Sequence, residues 1–330
     1  MVEFDDTRLL VPLFGAHDCH LAQFEQRLGL SIVPRGNRVA ILGNASVAEI
    51  ARMALEDLYQ RLKNGLEVSA ADVDGALRMA ESKPLSEQDT GDKKKKSQRK
   101  NRFKRDQRDP NDATINTQKK LITPHSPNQA AYVKAMRRHD LVFGLGPAGT
   151  GKTYLAVAIA VSMLLEEMVE RIILTRPAVE AGEQLGFLPG ALEEKVDPYM
   201  RPMYDALYDM IPVDRVLRRR DAGEIEVAPL AYMRGRTLSN ACVILDEAQN
   251  ATPMQMKMFL TRMGENSRMV VTGDPSQVDL PKGTKSGLND AIEILEGVNE
   301  IQIVQFGPDD VVRHPLVASI VRAYDQHSKN

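Results

Sequence analysis

The sequence predicts an α/β protein: a largely parallel sheet covered by helices on both faces, preceded by a small α+β domain. Two observations lead there. From Leu141 onward six short runs (LVFGL, RIILTRPAV, EIEVAPL, ACVILDEAQ, RMVVTGD and IQIVQF) are rich in Val, Ile and Leu and mostly lack period-two alternation, as strands buried on both faces do. Segments of helical length separate most of these runs, the alternation that produces a parallel sheet with helices on both sides.

The N-terminal elements read differently. Thr7 to Gly15 (TRLLVPLFG) reads as a strand and Leu21 to Gly29 as a helix with Leu21, Phe24 and Leu28 on one face. Leu30 to Gly43 gives two strands around the PRGN turn, and Val47 to Arg61 a second helix. This order resembles a small KH-like module, which in that family clamps single-stranded RNA with a GxxG loop. Here the stretch from Gly15 is GAHD, without the second glycine. We therefore expect three parts: a KH-like domain over 1–85, a linker over 86–112 and the α/β domain over 113–330. Lys93 to Arg108 holds ten Lys or Arg and one Asp, leaving 33 basic and 44 acidic residues elsewhere. Such a block cannot bury itself and reads as a solvated tether or an electrostatic arm for nucleic acid.

In the second domain the helices are expected over Lys152–Met168, Pro253–Gly264, Lys285–Glu296 and Pro315–Tyr324. Gly146, Pro147, Ala148, Gly149, Thr150, Gly151, Lys152 and Thr153 read GPAGTGKT, a GxxxxGK[ST] motif directly after a strand and opening a helix. Backbone N–H groups of such a loop wrap phosphate, aided by the positive end of the helix. Lys152 is expected on the β and γ phosphates of ATP and Thr153 on Mg²⁺. A second apolar run, Cys242 to Leu245, ends in Asp246 and Glu247. Asp246 suits the Mg²⁺ shell and Glu247 can polarise an attacking water, which favours hydrolysis over transfer to a second substrate. Gln277, after the GD turn at Gly273 and Asp274, can face the phosphates, and Gln129 is a candidate adenine reader.

These blocks combine with SPNQ, LTRPAVEAGEQLGFLPG, APLAYMRGRTL, MKMFLTRMG, TGDPSQVDLPKGTKSGL and DVVRHPLVASIV to resemble the PhoH family of bacterial P-loop ATPases, from about Pro124 to Tyr324. The resemblance implies a RecA-like P-loop NTPase fold similar to the first ATPase core of superfamily 1 helicases. It also implies ATP hydrolysis linked to RNA, in RNA processing or ribosome maturation, and an endoribonuclease of the YbeY type as a partner. It gives Gln129 the adenine-reading role and Gln277 the coupling of γ phosphate to nucleic acid.

The 53 residues after Gln277 are too few for a second ATPase core. We therefore expect a homo-oligomer, a hexameric ring, with Arg234, Arg236 or Arg313 as the arginine finger offered to a neighbouring subunit. MVEFDDTRLL lacks the basic-then-apolar order of a signal peptide, and no apolar run approaches the 18 residues of a membrane span, so the expected compartment is the cytoplasm. The two cysteines and the His17, Cys19, His20 cluster lack the spacing of a metal site.

Overall fold

The computed structural model describes residues 1–82, 113–177, 192–281 and 283–312, with the backbone alone over 192–198. The basic segment, Arg313 and the helix expected over Pro315–Tyr324 lie outside the described residues.

The chain divides into two compact units, the first holding residues 1–112 and 125–127 and the second the remainder. In the first, β1 (Val2–Glu3), α1 (Leu10–Phe14), α2 (Cys19–Leu28), β2 (Ser31–Arg35), β3 (Arg38–Leu42), α3 (Ala45–Lys63) and α4 (Ala70–Glu81) follow in order. The three strands form an antiparallel sheet in the order β1-β3-β2, and Ile32 and Val39 face a core that includes Phe24, Leu55, Leu58 and Leu77. The order is βααββαα, a small α+β unit as expected.

One expectation is corrected. Thr7 to Gly15 is a 3-10 turn running into α1, and the strand is Val2–Glu3. The Asp6 carboxylate accepts from the Arg8 N–H and starts the turn, and Leu10 and Leu13 are buried while Val11 is 74% exposed. That spacing is helical, and Pro12 falls in the first turn, where its missing N–H has no intrahelical bond to make. The loop between α1 and α2 has left-handed backbone at His17 (φ 53°) and Asp18 (φ 57°) as well as positive φ at Gly15. Asp18 thus occupies the position of the absent second glycine, and its carboxylate would oppose a phosphate there.

The second unit contains a hairpin, β4 (Ile115–Asn116) and β5 (Leu121–Ile122), and then α5 (Pro127–Arg138). The chain continues through β6 (Leu141–Leu145), α6 (Lys152–Leu165), β7 (Arg171–Arg176), α7 (Leu192–Met210), α8 (Val213–Asp221) and β8 (Ile225–Pro229). It closes with β9 (Ala241–Leu245), α9 (Pro253–Leu260), β10 (Arg268–Gly273), α10 (Gly287–Leu295) and β11 (Ile301–Gln305). The six strands β6 to β11 form one sheet in the order β11-β6-β10-β9-β7-β8, and every pairing is parallel. Val142, Ile172, Leu174, Cys242, Ile244 and Val270 bury one face with α6 and α7, while Phe143, Ile173, Val243, Leu245 and Val271 bury the other with α9 and α10. Burial on both faces explains the unalternating apolar runs. It also pushes the Cys242 thiol up to about 12, so this cysteine packs as a small apolar group.

Strand order decides which loops meet. Because β10 lies between β6 and β9, the chain after Gly273 emerges between the glycine-rich loop and the acidic pair. At β6, Gly144 lies against Tyr132, whose ring would collide with any added Cβ. The Tyr132 hydroxyl is fully buried and has no hydrogen-bond partner among the described residues. Tyr132→Phe removes an unsatisfied polar group, so urea unfolding should show stability unchanged or raised by about 1 kcal/mol.

Candidate active site

Residues 146–151 form the turn from β6 into α6. Gly149 (φ 84°) and Gly151 (φ 81°) take positive φ, and a Cβ on Gly146 would collide with the Phe306 carbonyl. The loop is braced from three sides. The Gly146 N–H donates to the Gly273 carbonyl (3.1 Å), Gln129 Nε2 to the Thr150 carbonyl (3.0 Å) and the Val312 N–H to the Gly149 carbonyl (3.0 Å).

Lys152 Nζ donates to the Gly146 and Pro147 carbonyls at 2.7 and 2.8 Å. Burial holds its pKa below the usual lysine value, against the upward pull of Asp274, Asp246 and Glu247. A buried cation on neutral carbonyls is suited to an incoming anion. Thr153 Oγ1 and Thr272 Oγ1 each donate to Asp246 Oδ1 at 2.6 Å, and the Asp246 N–H donates to the Thr175 carbonyl. Asp246 therefore has a fixed orientation beside Thr153. One carboxylate and one hydroxyl are hard oxygen donors, the sparse set with which Mg²⁺ is held when phosphates complete its shell.

Glu247 follows with left-handed backbone, φ 50°. Both acids lie beyond the end of β9 at Leu245, and the chain bends at Glu247. A non-glycine residue in this conformation costs about 1–3 kcal/mol, which the surrounding contacts must hold in place. Gln249 Nε2 donates to Glu247 Oε2 (2.6 Å), and Arg176 Nη2 is 3.4 Å from Glu247 Oε1. The Gln249 side chain is buried, and its Oε1 accepts from the Asp274 N–H (3.1 Å).

Ala148, Gly149, Gly151, Lys152, Thr153, Asp246, Glu247 and Gln277 all line one cavity of about 750 Å³. Gly146, Pro147 and Thr150 shape its loop. Gln129 reaches the same loop as a buttress, its amide nitrogen committed to Thr150. Arg236 is not among the residues lining this cavity and is paired with Glu226 through two hydrogen bonds of 2.6 and 2.7 Å. Arg234 is exposed just after β8.

Among the residues of the site that were not singled out from the sequence are Arg176 and Asp274, which line the cavity, and Gln249, which bonds to Glu247 and Asp274. Arg176 ends β7, and its Nη1 donates to the Tyr199 carbonyl (3.1 Å). The chain thus places an arginine of its own against Glu247. Arg176→Ala should lower kcat for ATP about tenfold by loosening Glu247, with nucleotide affinity within twofold. Arg176→Lys should recover only part, because a single ammonium cannot match a fork that reaches both partners. Steady-state kinetics beside fluorescent-nucleotide titration check both.

The PhoH-like protein family model matches residues 121–325, covering the whole of this site. The chain belongs to the PhoH family. It is 50% identical to a PhoH-like protein of Bacillus subtilis (strain 168) over 96% of this chain and 94% of that one. It is 45% identical to one of Mycobacterium tuberculosis (strain ATCC 25618 / H37Rv) over 97% and 86%. Protein PhoH of Escherichia coli (strain K12) is 50% identical over 59% of this chain and 56% of its own. A distant structural neighbour, the Pif1 helicase of Candida albicans, has a TM-score of 0.28 at 14% identity over 54% of this chain and 39% of that one, too little to weigh in a functional argument. The family thus comes with a P-loop NTPase fold suited to nucleotide binding. No described helix is long and apolar enough to cross a membrane, and no group of three or more His, Cys, Asp or Glu among the described residues could hold a metal ion.

Proposed function

We propose that this PhoH-family chain is an Mg²⁺-dependent ATPase whose turnover is coupled to single-stranded RNA. The observation that carries the hydrolytic reading is the convergence of Lys152, Thr153, Asp246 and Glu247 on one cavity. Lys152 and the loop N–H groups bind the triphosphate, and Thr153 and Asp246 hold the metal. Mg²⁺ supplies charge neutralisation of the phosphates when bound. Glu247 accepts a proton from the attacking water, oriented by Gln249 and Arg176. Positioning and electrostatics do most of what phosphoryl transfer requires.

Coupling to RNA is supported by the family resemblance, by the strongly basic 93–108 segment and by Gln277 at the cavity rim. Because GAHD replaces the glycine clamp, the KH-like unit contributes little phosphate binding through that loop. A homo-oligomeric ring is proposed because a single ATPase core lacks a neighbour to supply an arginine finger, and a YbeY-type endoribonuclease and the ribosome are proposed as partners on the family resemblance. Of the two described candidates for a trans finger, Arg236 is paired with Glu226 and Arg234 is exposed. Mixing Arg234→Ala with Lys152→Ala subunits should restore turnover if each supplies what the other lacks. No recovery excludes Arg234.

The primary experiment measures phosphate release from Mg²⁺ATP with and without single-stranded RNA. Turnover that rises with RNA supports the proposal. ATP binding without turnover and without response to RNA overturns it in favour of a nucleotide-gated scaffold that docks a partner.

A further inference from the structure

Asp274 heads the chain that leaves β10 between the phosphate loop and the acidic pair. Its Oδ1 accepts from the Ser276 N–H (2.9 Å) and Ser276 Oγ (2.7 Å), which pins the carboxylate in a turn. Its Oδ2 has no hydrogen-bond partner among the described residues. The residue is 8% exposed and lines the cavity with Lys152, Thr153 and Glu247. A buried acceptor without a donor costs about 1–3 kcal/mol or more, so such an atom in a native site calls for a functional explanation.

The chemistry of the cavity narrows what the donor can be. The phosphate oxygens of ATP are acceptors, as Oδ2 is, so the triphosphate cannot satisfy it. Water can, and a site loaded with Mg²⁺ATP would offer two sorts: one in the metal shell and the one that attacks. Asp246 is the acid tied to the metal side, through Thr153 and Thr272. Asp274 is tied to Glu247 instead, because the buried amide of Gln249 donates to the Glu247 carboxylate and accepts from the Asp274 N–H. One side chain therefore sets the spacing of both acids.

We propose that Asp274 is a further catalytic residue, whose Oδ2 accepts a hydrogen bond from the water that attacks the γ phosphate. This rests on the ATPase reading above. The water oxygen bonds to the γ phosphorus as the bond to the bridging oxygen of ADP breaks, and the departing proton passes to Glu247. Asp274 takes no proton. It holds the second hydrogen, so that the attacking lone pair points at phosphorus.

Asp274→Asn keeps the size and the Oδ1 acceptor of the turn but can place a donor where Oδ2 was. Expected is a fall in kcat of about 10- to 100-fold. Affinity for ADP with beryllium fluoride, which mimics bound ATP, should stay within threefold, while ADP with aluminium fluoride, which includes the apical water, should bind at least tenfold more weakly. Asp274→Ser, which also removes the carboxylate, should share both effects, with thermal unfolding of each variant checking the fold. Unchanged kcat overturns the proposal, as does equal weakening of the two fluoride complexes with an altered Mg²⁺ dependence, which would put Asp274 in the metal shell. If the wild-type chain itself does not hydrolyse ATP, the ATPase reading fails and this proposal with it. Wild-type turnover matched by Asp274→Asn overturns this proposal alone.

Discussion

Glu247→Gln is expected to reduce kcat for ATP by about 10²–10⁴-fold, the range removed with a general base, while nucleotide affinity stays within a factor of three. The amide fills the same volume, can still accept from Gln249 and keeps the left-handed turn, so the binding surface persists while the proton acceptor is gone. Its pair with Arg176 is 3.4 Å long with Glu247 38% exposed, and losing it should cost less than about 1 kcal/mol of stability. Single-turnover phosphate release beside a fluorescent-nucleotide titration separates the two quantities. Full turnover in the variant would remove Glu247 from the chemistry.

Lys152→Ala should act on binding. Its ammonium is the buried cation of the phosphate loop, and the two carbonyls it now engages can turn to water at the cavity wall. We expect at least a 100-fold loss of ATP affinity. Without nucleotide the variant should be as stable as the wild type or slightly more so, since a partly buried charge has been removed. Thermal unfolding with and without Mg²⁺ATP reports both effects. At a ligand concentration 100 times the wild-type Kd, ATP stabilises the wild type by about 2.7 kcal/mol and a 100-fold weakened variant by about 0.4 kcal/mol. A variant that retains the full ATP-dependent shift would show that Lys152 does not bind phosphate.

These two residues are legible in the sequence because their chemistry depends on residues adjacent in the chain. A phosphate loop needs glycines at fixed offsets, a strand before it and a helix after it, all within about twenty residues. The Asp246–Glu247 pair is likewise written at the end of one apolar run. The six strands of the second unit were legible for a related reason: burial on both faces leaves a continuous apolar signature. Local reasoning erred where an apolar run was short. Thr7 to Gly15 could be read as strand or helix, and contacts with the rest of the N-terminal core select the helix.

What the sequence by itself determined is the phosphate loop, the acidic pair, the α/β class and the family, because each is carried by residues adjacent in the chain or by ordered blocks. Only the tertiary structure decided how Arg176, Gln249 and Asp274 join them. Their contacts cross from β7 to the turn after β9 and from there to the end of β10, separations that depend on strand order. It also committed Gln129 to Thr150 and Arg236 to Glu226. A side chain's composition states what it can donate or accept, but its partner is selected by packing between elements distant in sequence. The parallel sheet supplies that packing by bringing the ends of β6, β7, β9 and β10 to one edge.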